Sequence, residues 1–118
     1  MRAVKGERDA MKVSELVKKT GLKTFNEGAD KEIMGVYISD MVSDIIGIKE
    51  GHLLITLQTH KNLIAAANLV DVAAVVFSRN KIPADDVVAL ASRAGIKLLG
   101  YDGDTWGLAK KLCELKIA

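Results

Sequence analysis

Short apolar runs alternate with amphipathic stretches along most of the chain. The runs, at 33–38, 53–57, 72–77 and 96–99, have the length and composition of buried β-strands. The stretches around them carry apolar residues three or four positions apart, which predicts helices of about ten residues. Strands that are apolar on both faces and alternate with helices form βαβ units. The pattern therefore predicts a single compact α/β domain, with helices packed on a mainly parallel sheet of about four to five short strands.

Glycine, proline and acidic residues mark the ends of several predicted helices. Gly21 follows an amphipathic stretch over 13–17, and Gly95 follows another. Glycine adopts the left-handed conformation that commonly ends a helix, so we expect both helices to stop there. Pro83 suits the first turn of the helix before Gly95, and the acidic pair 85–86 favours its positive end.

Three further helices are predicted from caps and apolar stripes. Ser39 or Asp40 is expected to cap a helix that stops at Gly47, and Asp104 or Thr105 to cap the last helix of the chain. A third helix is predicted over 61–70. The residues expected to point inward are, for the helix that stops at Gly47, Met41, Val42, Ile45 and Ile46. For the helix over 61–70 they are Leu63, Ile64, Ala67 and Val70, and for the last helix Leu108, Leu112 and Leu115. Residues 22–32 show no clear period.

Residues 1–11 also lack a periodic pattern. We expect them to form a flexible lead-in, and residues 12–118 to form the domain. The lead-in is charged and has no apolar core of a signal peptide, and no apolar run approaches the length of a membrane span.

Composition narrows the classes of partner. The 118 residues are 49% hydrophobic and 27% charged, with a formal charge of +2, which is too near neutrality to indicate a nucleic-acid or membrane-surface protein. The single cysteine, Cys113, cannot form an internal disulfide. We expect a cytoplasmic protein with no nucleic-acid and no membrane partner.

The carboxyl ends of the predicted strands are the expected place for a ligand, because open parallel sheets bind ligands there. Polar residues follow all four strands. The candidate ligand-binding residues are Ser39, Asp40, Gln58, Thr59, His60, Lys61, Asn62, Ser78, Arg79, Asn80, Asp102, Asp104 and Thr105.

Residues 58–62 are the most distinctive of these segments. They combine two amides, a hydroxyl, an imidazole and an ammonium in five positions. Backbone amides at the following helix start could hold an anion, with Lys61 and Arg79 adding charge. The alternative is that Thr59 caps the helix and the remaining side chains are solvated.

Metal and acid–base chemistry have weaker support. His52 precedes a strand and His60 follows it, so the two are expected at opposite edges of the sheet, and we expect no metal site. Asp40 and Asp44 lie one helical turn apart, a spacing at which paired carboxylates can hold Mg²⁺, but a cap and a solvated residue explain them as well. A turn and a cap likewise explain Asp102 and Asp104.

Several catalytic motifs are absent from the sequence. It contains no phosphate loop, no dinucleotide-binding glycine fingerprint and no nucleophile elbow. Cys113 has no histidine near it in sequence that could activate it. We therefore expect no catalytic residues, no cofactor and no enzymatic activity.

Residues 35–47 (GVYISDMVSDIIG) resemble the start of a DRTGG domain. The likeness continues through 54–62 (LITLQTHKN) and 71–77 (DVAAVVF), and residues 83–112 are also similar to the N-terminal domain of HPr kinase/phosphatase. At the two turns for which the family is named, this chain has residues 59–61 and 78–80. It thus resembles the short stand-alone members that carry Gln-Thr-His. The resemblance implies a regulatory or dimer-forming module that accompanies a catalytic protein.

Three functions remain open at this point. The first is a non-catalytic regulatory domain, dimeric, that binds a small anionic metabolite or nucleotide at the strand carboxyl ends. The second is a protein-interaction module that dimerises or docks on a redox or metabolic enzyme, which exposed apolar residues at 33–38 or on the last helix would support. The third is a small enzyme that uses His60 as a base with Asp102 or Asp104 nearby.

Overall fold

Four parallel strands and one antiparallel strand form the sheet of the computed structural model, which describes residues 11–117. In chain order the strands are β1 (Lys23–Thr24), β2 (Gly35–Ile38), β3 (His52–Thr56), β4 (Ala74–Phe77) and β5 (Leu98–Gly100). Their spatial order is β1-β5-β4-β3-β2, and only β1 runs antiparallel to its neighbour. The predicted mainly parallel α/β class is confirmed.

Helices cover both faces of this sheet. They are α1 (Val13–Thr20), α2 (Val42–Ile45), α3 (Lys61–Leu69), α4 (Asp85–Ala94) and α5 (Thr105–Glu114). Leu53 and Ile55 of β3 pack with residues of α1 and α5, whereas Leu54 between them packs with residues of α2, α3 and α4. Because successive strand residues point to opposite faces, these contacts place α1 and α5 on one side and the other three helices on the other.

The central strands are buried on both faces. Every residue of β4 is buried, and so are Leu53 to Thr56 of β3. Strands that lie between two helical layers expose neither face, which is why the sequence shows them as continuous apolar runs rather than as alternation.

Local signals predicted several helix ends correctly. Gly21 and Gly95 follow α1 and α4 with φ angles of 73° and 76°, in the left-handed region. Asp104 caps α5, because its carboxylate accepts a hydrogen bond from the backbone N–H of Gly107. Asp85 and Asp86 lie in the first turn of α4, as predicted.

The helix predicted after β2 is wrong in length and in its cap. α2 has only four residues and begins after Met41, not after Ser39 or Asp40. Only Ile45 of its predicted inward residues is buried, while Met41 and Ile46 are 65% and 51% exposed. The Asp40 carboxylate instead accepts hydrogen bonds at the end of β3, so it is not free to cap a helix.

Three smaller expectations also differ from the structure. His60 rather than Thr59 occupies the N-cap position of α3, without a side-chain cap. Pro83 lies before the N-cap residue Ala84, so it precedes α4 instead of forming its first turn. β1 was not predicted, because a strand of two residues is too short to show a period.

Met11, the last residue of the predicted lead-in, packs in the core between α1 and the sheet. Its carbonyl accepts a hydrogen bond from the N–H of Ile33. The other ten residues of that segment lie outside the described residues. Within residues 11–117 the longest helices, α4 and α5, have ten residues each, and none is long and apolar enough to cross a bilayer.

Candidate functional site

All four predicted polar segments lie along one edge of the sheet. The strand register aligns Ile38 with Ile55, Thr56 with Phe77, and Phe77 with Gly100. The carboxyl ends of β2, β3, β4 and β5 are therefore level, and the segments that follow them are neighbours in this order. The amino end of the antiparallel strand β1 joins the same edge, since Lys23 pairs with Gly100.

The segments after β4 and β5 are tied together by hydrogen bonds. The hydroxyl oxygens of Ser78 and Thr105 lie 2.7 Å apart, and Ser78 is fully buried. The N–H groups of Arg79 and Asn80 donate to the carbonyls of Gly103 and Tyr101. These contacts bring together predicted site residues from two strands.

Arg79 and Asn80 adopt a conformation that L-residues rarely use. Their φ angles are 58° and 56°, so both lie in the left-handed region. Asparagine tolerates this region, whereas an arginine there costs conformational energy that its surroundings must offset. Here the hydrogen bonds that their N–H groups donate to the loop after β5 hold the turn, and both side chains remain exposed.

The chain leaves β4 and β5 toward opposite faces of the sheet. From β4 it enters α4 on one face, and from β5 it enters α5 on the other. Adjacent loops that diverge in this way leave a crevice between them, and open α/β sheets bind ligands in such crevices.

A cavity of about 500 Å³ lies at this end of the edge. It is bounded by the end of α1, by β1, by the turn after β4, by the end of β5 and by α5. Its lining residues are Thr20, Gly21, Leu22, Lys23, Phe25, Asn80, Lys81, Gly100, Tyr101, Asp102 and Lys111. We call this feature the carboxyl-edge cavity; its volume falls within the range of about 300–1,000 Å³ that is typical of small-molecule sites.

The charged lining of the carboxyl-edge cavity is mainly positive. Lys23, Lys81 and Lys111 contribute three ammonium groups, and Asp102 contributes one carboxylate. The three lysines come from β1, from the turn after β4 and from α5, so the fold and not one basic segment brings them together. The Lys23 ammonium also lies 5.2 Å from the ring centroid of Phe25, within range of a cation–π contact.

Glycines allow two aromatic rings of this cavity to approach the backbone. A Cβ at Gly100 would lie 2.8 Å from the Phe25 ring, and one at Gly103 would lie 2.7 Å from the Tyr101 ring. Side chains at these positions would collide with the rings. Both rings are therefore packed directly against main chain, which restricts their orientation.

A second group of predicted residues lies at the ends of β2 and β3. Asp40 Oδ1 accepts hydrogen bonds from Thr56 Oγ1 at 3.0 Å and from the Leu57 N–H at 2.7 Å. Ser39 Oγ accepts from the Met41 N–H at 3.2 Å. The Asp40 bonds connect the loop after β2 to the end of β3, whereas the Ser39 bond lies within that loop. Neither Ser39 nor Asp40 lines the carboxyl-edge cavity.

The segment 58–62, which the sequence singled out, is exposed except at Thr59, which is partly buried. The side chains of Gln58, Thr59, His60 and Asn62 form no hydrogen bond with another residue of 11–117. Lys61 pairs with Asp86 of α4 at 3.3 Å, and both side chains are more than half exposed. The segment contributes no residue to the carboxyl-edge cavity.

The histidines lie at opposite edges, as predicted: His52 begins β3 and His60 precedes α3. His60 follows β3, whereas Asp102 and Asp104 follow β5, and β4 lies between these two strands. The strand before the histidine is therefore two strand spacings, roughly 10 Å, from the strand before the two carboxylates. Among the described residues, no three His, Cys, Asp or Glu side chains are grouped so that they could hold a metal ion.

Asp44 does not act with Asp40 as a carboxylate pair, because each has a different partner. Asp44 accepts a hydrogen bond from the Tyr37 hydroxyl, and this bond raises the pKa of Tyr37 above its ordinary value. Asp40 is bound to Thr56 and Leu57, as described above.

A wider concavity of about 820 Å³ lies at the opposite, amino edge of the sheet. His52, Met34 and Gly51 contribute to its lining, and the ion pair between Lys31 and Asp71 lies at its border. None of the predicted site residues belongs to it.

Sequence reasoning predicted two residues of the carboxyl-edge cavity, Asn80 and Asp102, and missed most of the others. Lys81 and Tyr101 belong to the segments 78–81 and 101–105 that the carboxyl-end rule selects, but they are not among the candidate residues. Lys23 has no such signal, because its place depends on the pairing of β1 with a strand more than seventy positions later. Lys111 is marked only by its position beside the apolar stripe of α5.

Comparisons with known proteins show the fold but no family. No family model matches the chain, and no curated protein matches it. A crystal structure of the CBS and DRTGG domains of the regulatory region of a Clostridium perfringens pyrophosphatase, complexed with its activator diadenosine tetraphosphate, is similar with a TM-score of 0.64 and 14% sequence identity. The similarity covers 83% of this chain and 44% of that one, so this chain spans less than half the length of its structural neighbour. The chain therefore has a fold like that of part of this CBS and DRTGG region.

Proposed function

We propose that this chain is a non-catalytic regulatory domain that binds a small anionic metabolite or nucleotide in the carboxyl-edge cavity. The observation that carries the proposal is the lining of this cavity, where Lys23, Lys81 and Lys111 surround a space that has only one carboxylate. The cavity lies where the chain leaves two adjacent strands toward opposite faces, which is the usual ligand position in open α/β sheets.

The electrostatics favour an anion. Within residues 11–117, ion pairs join Lys31 to Asp71 and Lys61 to Asp86. None of the three cavity lysines forms an ion pair with a carboxylate of these residues. Three ammonium groups and one carboxylate leave an excess of two positive charges. Like charges that converge on one space repel each other, and an anionic ligand would relieve that repulsion.

The structural neighbour supports a regulatory role. That protein's region is regulatory, and its activator carries four linked phosphates. At 14% identity the likeness concerns the fold, so the ligand and its site are argued from this chain's own residues.

The direct test is native mass spectrometry of the protein purified gently from cell extract, with mild activation to release bound molecules. Wild type is compared with the cavity variant Lys23→Gln/Lys81→Gln/Lys111→Gln. Its control, Lys18→Gln/Lys19→Gln/Lys110→Gln, makes the same change of charge outside the cavity. We expect an anion to be released from wild type and from the control but not from the cavity variant.

A second variant separates the cavity from the segment 58–62. Thr59→Ala/His60→Ala/Lys61→Ala removes the polar side chains after β3 and leaves the cavity lining intact. Retention of the ligand in this variant supports the cavity. Loss of the ligand here, together with its retention in the cavity variant, would move the site to the start of α3.

A protein-interaction module is the second candidate, and a surface beside β2 favours it. β2 is an edge strand that pairs only with β3 among the strands of residues 11–117. Ile38 ends this strand, and Met41 and Ile46 flank the short helix α2 that follows it; the three side chains are 51%, 65% and 51% exposed. We call these three side chains the β2 patch. Exposed apolar groups at an open strand edge favour association with another chain.

The oligomeric state tests this candidate. Light scattering coupled to size exclusion is compared for wild type, for Ile38→Thr/Met41→Lys in the β2 patch, and for Leu69→Lys on α3, where the side chain is 72% exposed. We expect a dimer in wild type and in Leu69→Lys, and a monomer in the patch variant. A monomeric wild type at high protein concentration would exclude self-association through this patch.

A further inference from the structure

We infer that the carboxyl-edge cavity binds a nucleoside carrying two or more linked phosphates. This inference rests on the proposed function, which requires only that an anion binds there, and it identifies the chemical class of that anion. Three features of the lining carry it: the number and kind of cations, the single carboxylate, and the two oriented aromatic rings.

The cations suit a chain of phosphates. All three are lysines, and the lining contains no arginine. Lysine ammoniums act as point charges with three donors each, and they can contact the oxygens of successive phosphates from several directions. Three ammonium groups match the roughly three negative charges that a terminal diphosphate carries near neutral pH, since one phosphate monoester carries up to two.

Asp102 gives the cavity an acceptor for a ligand that also donates hydrogen bonds. Its ionised carboxylate only accepts them, and it would repel a ligand made of phosphate alone. A nucleoside supplies ribose hydroxyl and base N–H donors on the same molecule as its phosphates. The positive and negative parts of the lining thus match the two halves of a nucleotide.

The aromatic rings of the lining suit the nucleoside half. Phe25 packs against Gly100, and Tyr101 against Gly103, so both rings are held in place before a ligand arrives. Ring faces and edges contact a base or a ribose favourably, independently of the identity of the base. A diphosphate without a nucleoside would leave these apolar groups of a 500 Å³ cavity uncovered.

The test is calorimetric titration of the full chain at fixed ionic strength with four probes: ADP, inorganic pyrophosphate, adenosine and citrate. We expect ADP to bind more tightly than pyrophosphate by about tenfold or more, which is the gain from contacts of the nucleoside with Asp102 and the rings. Adenosine and citrate are each expected to bind more weakly than ADP. Lys111→Gln should weaken ADP binding by about fivefold, and the neighbouring control Lys110→Gln should leave it unchanged.

The outcomes separate this inference from the proposed function. Lysine-dependent binding of citrate in preference to ADP would keep an anion site and overturn the nucleotide. Equal binding of ADP and pyrophosphate would overturn the nucleoside half. Failure of every probe to bind in a lysine-dependent way, with no anion released in native mass spectrometry, would overturn both. Asp102→Asn should strengthen pyrophosphate binding more than ADP binding, because it removes the repulsion of both ligands but replaces one of the two acceptor oxygens offered to the nucleoside by an amide donor.

Discussion

The hydroxyl groups of Ser78 and Thr105 lie 2.7 Å apart and join the end of β4 to the first residue of α5. Ser78 is fully buried, whereas Thr105 is partly exposed. The bond therefore ties the loop after β4 to the start of α5, and its two partners differ in their access to water.

This difference predicts unequal effects of removing either hydroxyl. Ser78→Ala leaves the Thr105 hydroxyl able to reach water, so we expect a loss of about 1 kcal/mol in the free energy of unfolding. Thr105→Val leaves the Ser78 hydroxyl buried without a partner, and we expect about 2 kcal/mol. Urea unfolding of both variants and of the double variant measures the effects. Equal losses, or a double variant that equals the sum of the two, would show that the hydroxyl pair is not the stabilising unit.

Asp40 is expected to stabilise the end of β3 and not the start of α2. Its carboxylate accepts hydrogen bonds from Thr56 Oγ1 and from the Leu57 N–H. Both donors lie at the end of β3, and neither belongs to α2, the helix that follows Asp40. Asp40→Ala should lower the free energy of unfolding by about 1 kcal/mol, the value for an exposed hydrogen-bonded group. Asp40→Asn keeps a carbonyl acceptor and should recover part of this loss.

Amide hydrogen exchange distinguishes the two roles of Asp40. We expect the amide of Leu57 to exchange faster in Asp40→Ala, while the amides of Asp44 and Ile45 in α2 keep their wild-type rates. Faster exchange confined to α2 would instead restore the helix-cap role that the sequence indicates.

The features that the sequence predicted are those determined by nearby residues. Gly21 and Gly95 end their helices because the left-handed conformation is a property of one residue. Asp104 caps α5 because its acceptor reaches an N–H three positions away. The α/β class follows in the same way, since the burial of a strand on both faces is visible in its own run of apolar residues.

The features that it missed depend on distant pairing. Lys23 reaches the carboxyl-edge cavity through its pairing with Gly100, which no local pattern encodes. Asp40 has two sets of donors within reach, the first turn of a helix and the end of β3, and local sequence identifies only the first. The segment 58–62 is rich in polar groups, but the fold brings the cavity together one strand farther along the sheet.

Gly28 is expected to be intolerant of any side chain. A Cβ there would lie 2.7 Å from the backbone N of Lys97 and 2.9 Å from its Cα, and neither atom can move without displacing the residues that lead into β5. Gly28→Ala should therefore lower the free energy of unfolding by about 1–3 kcal/mol. Gly47→Ala is the matched control, because its nearest non-local atom would lie 3.6 Å away, at ordinary contact distance. Similar unfolding midpoints for the two variants would contradict the close approach at Gly28.

Asp30 should make stability depend on pH in the acid range. Its carboxylate accepts hydrogen bonds from the side-chain hydroxyl and the backbone N–H of Ser14, at 2.7 and 2.8 Å, and these bonds hold the pKa of Asp30 below its ordinary value of 3.8. Because the pKa is lower in the folded chain than in the unfolded chain, the stabilisation is fully present above pH 3.8. It is lost as the pH falls through the folded-state pKa.

The measurement compares the free energy of unfolding of wild type and Asp30→Asn between pH 2 and 7 (roughly the span over which the carboxyl titrates). We expect wild type to be more stable near neutrality and the difference to shrink on acidification. Ser14→Ala removes one of the two donors and should raise the pKa of Asp30 part of the way toward its ordinary value, as read from the NMR titration of its carboxyl carbon. The difference in the free energy of unfolding between wild type and Asp30→Asn could instead stay constant down to pH 2. That result would mean that the charge of the carboxylate does not stabilise the contact between Asp30 and Ser14 of α1.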